Sequence, residues 1–124
     1  MPSYLITYDL AERRSPHQTF IEEAEQADLL YVWKGSTDLW RLPNTTIWGI
    51  FPTVDKAKAA FDQALAATEK RLGGKVTVEK RVITGFRDYS VKSDRHKQPA
   101  AKWTETSDFE TSRLHQLNDP YFAY

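Results

Sequence analysis

Cysteine is absent from the 124 residues, so this chain can build no disulfide, no thiolate zinc site and no cysteine nucleophile. No apolar run approaches the ~20 residues that a membrane-spanning helix needs, which excludes a helical span. The first residues lack a basic stretch followed by an apolar one. A secretory signal is therefore not expected, and a cytoplasmic location is. Neither a glycine-rich phosphate loop nor a cofactor motif occurs, which sets a small-molecule-binding domain behind the other readings. Internal repeats and low-complexity runs are missing too. Net charge is absent in sum, since 17 Lys and Arg balance 17 Asp and Glu. That balance speaks against a protein that coats nucleic acid through bulk electrostatics.

What is present is enough for one folded domain. The length suits a single core, and 40% hydrophobic residues with four Trp supply it. Charge is unevenly placed. Residues 1–74 carry 8 basic and 10 acidic side chains, residues 75–102 carry 8 and 3, and residues 103–124 carry 1 and 4. The middle block is thus a basic stripe between acidic flanks, either a solvated surface or a place to meet phosphates.

The opening "YLITYDL" reads as a strand, because aromatic and branched residues fit a pleated, half-buried surface. Ser15 and Pro16 then signal a helix start, and Phe20, Ala24 and Ala27 with Ile21 give it an apolar face. "LLYVWK" (29–34) and "TIWGIF" (46–51) are strand candidates, expected to pair as an antiparallel hairpin across residues 35–45. Thr53 opens the clearest helix, rich in Ala, Lys, Gln, Glu and Leu, with Lys70 and Arg71 in its last turn and Gly73-Gly74 as its stop. In "KVTVEKRVIT" (75–84), Val76, Val78, Lys80 and Val82 alternate with Thr77, Glu79, Arg81 and Ile83, the pattern of a strand with one partly apolar face.

The order strand, helix, strand, strand, helix, strand predicts an α+β, ferredoxin-like βαββαβ sandwich with an antiparallel sheet over residues 1–85. Residues 86–124 form a C-terminal extension, partly docked or dimer-clasping. From Gly85 on the chain is polar yet holds seven aromatics, unlike a disordered tail. A short helix is expected near 107–117.

With that order in place, Tyr8-Asp9-Leu10 at the end of an apolar strand resembles the opening of the Cas-two-like group of small nucleases. The group includes the CRISPR-associated Cas-two proteins, the VapD ribonucleases and the GhoS-type endoribonucleases. "RLPNTTIWGIFPTVDKAKAAF" resembles the group's third strand running straight into its second helix, with Asn44, Thr45, Thr46 and Trp48 at the start of the strand. The resemblance covers residues 3–84. The chain departs from it in a longer loop between the second and third strands and in the tail. The resemblance implies a homodimer, RNA or DNA as partner, and a setting in toxin–antitoxin or phage-defence systems. No membrane partner is expected, since no apolar segment is long enough to span one. The resemblance also implies that Asp9 is the catalytic carboxylate and holds Mg or Mn near the dimer axis.

Two readings of Asp9 stay open. In one, two copies bind a divalent cation, which takes hard oxygen ligands and lowers the pKa of bound water. In the other, Asp9 accepts the N–H groups of residues 11 and 12 as an Asx-turn. Arg13 and Arg14 follow closely enough to hold phosphate. Arg41, Lys80, Arg81 and Arg87, with Lys92, Arg95 and Lys97, make the candidate nucleic-acid surface. His17 is a candidate general acid or base, or else a surface residue. Trp33, Trp40, Trp48 and Tyr31 could stack on bases, but core packing is the simpler expectation. The function expected is a metal-dependent endoribonuclease or RNA-processing protein. The alternative is a non-catalytic dimeric module that recognises a protein or nucleic acid through its tail.

Overall fold

Alternation along the first strand decides how the domain is layered. The computed structural model describes all of residues 1–124, and β1 (Ser3–Leu10) is the centre of a three-stranded antiparallel sheet. Ile6, Tyr8 and Leu10 are buried on one face, while Thr7 and Asp9 are exposed on the other. β4 (Thr46–Ile50) and β5 (Val78–Gly85) flank it, with Leu5 opposite both Trp48 and Thr84.

Helices α1 (His17–Gln26) and α2 (Val54–Leu72) cover the face of Ile6, Tyr8 and Leu10. The rings of Tyr8, Phe20 and Phe61 meet there at 5.0–5.6 Å, one residue from the strand and one from each helix. α2 begins and ends as its sequence predicts. The Thr53 side chain accepts from the Lys56 N–H at 3.2 Å, and Gly73 stops the helix at φ +70°. α1 starts differently from expectation. Arg14 and Ser15 both have positive φ, so Ser15 closes a turn with the Glu12 carbonyl, and Pro16 occupies the capping position without a side-chain bond.

The hairpin expected between residues 29–34 and 46–51 is replaced by a tighter one. β2 (Val32–Lys34) pairs with β3 (Leu39–Arg41), and β6 (His96–Lys97) adds to β3 as a small second sheet. Gly35 N–H bonds to the Asp38 carbonyl at 2.9 Å, closing a short local turn that costs less loop entropy than the longer connection to β4. What remains of the expected pairing is one antiparallel bridge, with Leu30 and Trp48 exchanging backbone bonds of 2.8 and 2.9 Å.

The alternation read along residues 75–84 also breaks. Asp9 lies opposite Lys80 and Leu10 opposite Val78, so Glu79 is an extra residue in β5. Parity flips at that bulge. Val76 and Val78 face the core before it, Ile83 does so after it, and Val82 is left 60% exposed.

Beyond β5 the chain folds back over the second sheet. α3 (Asp108–Asn118) starts at Ser107, whose hydroxyl accepts from the Glu110 N–H at 3.0 Å. It packs along β2. The Gln116 Oε1 accepts from the N–H groups of Tyr31 (2.8 Å) and Val32 (3.3 Å), and the Ser112 hydroxyl accepts from Lys34 N–H (3.0 Å). The otherwise bare edge of β2 is therefore satisfied by helix side chains. Phe122, in a 3₁₀ turn at 120–122, reaches the main core. Trp33 and Trp48 are buried with Leu30 and Leu42 in a second core beneath Phe109, and Trp40 stacks on His96 at 4.6 Å. No helix is long and apolar enough to cross a membrane.

Candidate phosphate-handling clefts at the end of the first strand

Asp9 is exposed on β1, opposite Lys80 and beside the bulge at Glu79. The loop after it is held without an Asx-turn to residue 11, because the Ala11 N–H donates to the Thr77 carbonyl at 2.9 Å. Asp9, Glu12, Glu79 and His17 line one cleft of about 380 Å³, with Asn44 and Tyr124 on its other side. His17 Nε2 lies 3.0 Å from Glu12, and its Nδ1 is buried with no partner. The imidazole is thus held by Glu12 and turned inward. No three His, Asp or Glu side chains come together closely enough to hold a metal ion.

Behind the cleft, the Tyr8 hydroxyl is buried without a hydrogen-bond partner. Burial pushes its phenol well above the ordinary range, and Tyr124 adds to this while Arg41 opposes it. Tyr31 is raised by burial too, again against the nearby Arg41. Both phenols are therefore neutral at physiological pH.

Arg41 lines a second cleft, of about 580 Å³, with Lys92 and Arg95. Its guanidinium lies beside the edge-to-face pair of Tyr31 and Tyr124, at 5.0 and 4.8 Å from their ring centroids. Asn44 and Tyr124 line both clefts, so the carboxylate-rich and the cation-rich hollows adjoin.

The remaining candidate residues are dispersed. Arg13 lines a separate hollow with Ala11, Lys75 and Thr77. The Arg14 guanidinium lies over Gly74, where an added Cβ would stand 2.5 Å from its Cζ. Lys80 and Arg81 point to opposite faces. Lys80 is beside Asp9, whereas Arg81 pairs with Asp62 at 3.1 Å and lies 5.1 Å from the Phe61 ring. Arg87 is exposed beyond β5, and Lys97 is paired with Asp119. The continuous basic stripe of the sequence is thus divided by strand parity. Asn44 is close to Arg41 in the chain, whereas Tyr31 and Tyr124 are neighbours that no spacing in the sequence could announce. Compared with known protein families, curated proteins and solved structures, the chain matches none of them.

Proposed function

We propose that the chain handles RNA as a ferredoxin-like protein of the Cas-two/GhoS-like type and cuts the phosphodiester backbone at the end of β1. The observation that carries this reading is the contact between two clefts, one lined by Asp9, Glu12 and Glu79, the other by Arg41, Lys92 and Arg95. Backbone cleavage needs cations to hold phosphate and carboxylates to hold a divalent ion beside it. The ferredoxin-like assignment is supported by the order β5-β1-β4, by the Leu30–Trp48 bridge on the far side of β4, and by the placement of α1 and α2 on one face.

The donor set is incomplete within one chain, and Glu12 is already engaged by His17. A second copy of Asp9, brought in by a homodimer, would complete it for Mg or Mn. When bound, such an ion supplies charge neutralisation and an acidified water. The chain's own contribution is to hold the strand. Arg41, Lys92 and Arg95 take phosphate oxygens, and Tyr124 offers a ring to a base.

The test is RNA cleavage by the purified protein with Mg²⁺ or Mn²⁺, alongside Asp9→Asn. The exposed position predicts a loss of about two orders of magnitude in rate with RNA affinity and folding unchanged. Cleavage retained by Asp9→Asn would sink the assignment. A non-catalytic binding module is the second reading, favoured by the lack of three converging ligands. Wild-type protein that binds RNA or a protein partner but cuts nothing would select it.

A further inference from the structure

Arg41 and Arg95 are held in a way that sets them apart from the arginines of the helices and β5. Arg71 faces Glu22 and Glu23, Arg81 faces Asp62, and Arg113 faces Glu25 and Asp28. Each of those charges is answered by a carboxylate. Arg41 and Arg95 are instead fixed by neutral acceptors. The Arg41 Nη1 donates to the Leu42 carbonyl at 3.0 Å and to Asn44 Oδ1 at 3.4 Å. The Arg95 Nη1 donates to the carbonyls of Tyr121 at 3.3 Å and Ala123 at 3.0 Å. A guanidinium has five N–H donors, of which Nη1 carries two, so Nε and Nη2 keep theirs for another acceptor.

Both arginines therefore keep their full charge and are already oriented. Arg41 also rests against the Tyr31 and Tyr124 rings, which pack edge to face on each other. Little side-chain entropy remains to be lost when an anion arrives. They line one open cleft of about 580 Å³ with Lys92, and its single acidic side chain is Asp94. The volume falls within the range of small-ligand sites. Planar donors of this kind match phosphate oxygens in pairs.

We infer that the Arg41–Arg95 cleft is a binding site for the phosphate group of a nucleotide unit, with Lys92 as a third cation and the Tyr124 ring beside it. The site rests on the phosphate-holding half of the proposed function and deepens it, but it needs neither Asp9 nor a metal, so binding here is tested apart from cleavage. A free nucleotide and a single strand present the same chemistry.

The experiment is fluorescence anisotropy of the full chain with a labelled single-stranded 12-nucleotide RNA, competed with AMP and with pyrophosphate. Arg41→Gln and Arg95→Gln are each expected to weaken strand binding by about tenfold. The slope of log Kd against log salt should fall by about one for each cation removed. Arg81→Gln, whose charge is spent on Asp62, should change affinity by less than about twofold. Lys92→Ala, an exposed side chain, gives a variant that folds even if Arg41→Gln does not, and should weaken binding by about threefold. Displacement of the strand by AMP or pyrophosphate identifies free phosphate compounds as ligands. Binding without displacement identifies the strand as the ligand, and both results support the site. Failure of the wild type to bind any of the three probes overturns it, as does unaltered binding by folded Arg95→Gln and Lys92→Ala. Loss of cleavage in Asp9→Asn with this binding intact keeps the two proposals distinguishable.

Discussion

Gly49 shows how one residue lets two sheets meet. A Cβ at that position would stand 2.5 Å from the Asp28 carbonyl oxygen and 2.6 Å from the Phe51 ring. The ring could turn, but the carbonyl belongs to the backbone that follows α1. Leu30 reaches Trp48 only because β4 is bare at this point. Gly49→Ala is expected to destabilise the protein by about 2 kcal/mol, read from denaturant unfolding at constant m-value. Asp9 is the opposite case at the same scale. It sits at the strand end that the sequence predicts, and its exposure follows from strand parity. What surrounds it does not follow from parity, because Glu79 enters through a bulge and Asn44 from a loop of another strand.

At the scale of elements, the docking of α3 on β2 replaces a neighbouring strand with side chains. Ser112 and Gln116 lie four residues apart, one helical turn, and so meet successive positions along the strand edge. Gln116→Ala would leave the Tyr31 and Val32 N–H groups unpaired beneath the helix. A loss of about 2 kcal/mol is expected, with faster hydrogen exchange at those two amides than at Ile6 or Tyr8 in the sheet centre. The helix itself was legible in the sequence from Ser107 onward. Its partner was not, since a glutamine carries no mark of which amide it will satisfy. The same holds for residues 29–34, whose strand character was legible while their partner was chosen by the short turn at Gly35–Asp38.

Across the whole molecule, the segment after β5 ties both sheets together and ends against the candidate site. Asp119 closes this wrap. Its carboxylate pairs with Lys97 of β6 and accepts from the Tyr121 N–H at 3.0 Å, at the turn that sends Phe122 into the core. Burial raises its pKa, but Lys97, the Tyr121 N–H and the nearby His115 outweigh that and hold the carboxyl below its usual range. A carboxyl depressed on folding stabilises the protein above its unfolded value, ~3.9, and that stability is lost as pH falls through the lower folded value. Thermal melts from pH 6 to 2.5 should therefore show an acid limb that Asp119→Asn flattens. An unchanged limb would assign acid sensitivity to other carboxylates.

Composition and periodicity alone determined the two helices, the strands read near 4–10, 46–51 and 75–84 though not the parity of the last, and the absence of any thiol chemistry, because these depend on local spacing and residue type. They also placed Asp9 at a strand end and a basic stripe along residues 75–102. Only the tertiary structure decided which charges became neighbours. Strand parity sent Lys80 and Arg81 to opposite faces, carboxylates from the helices neutralised Arg71, Arg81 and Arg113, and the fold-back of the tail brought Arg95 and Tyr124 to Arg41. Charge pairing acts through space over a few ångströms, and that distance is set by chain reversals that sequence spacing does not encode.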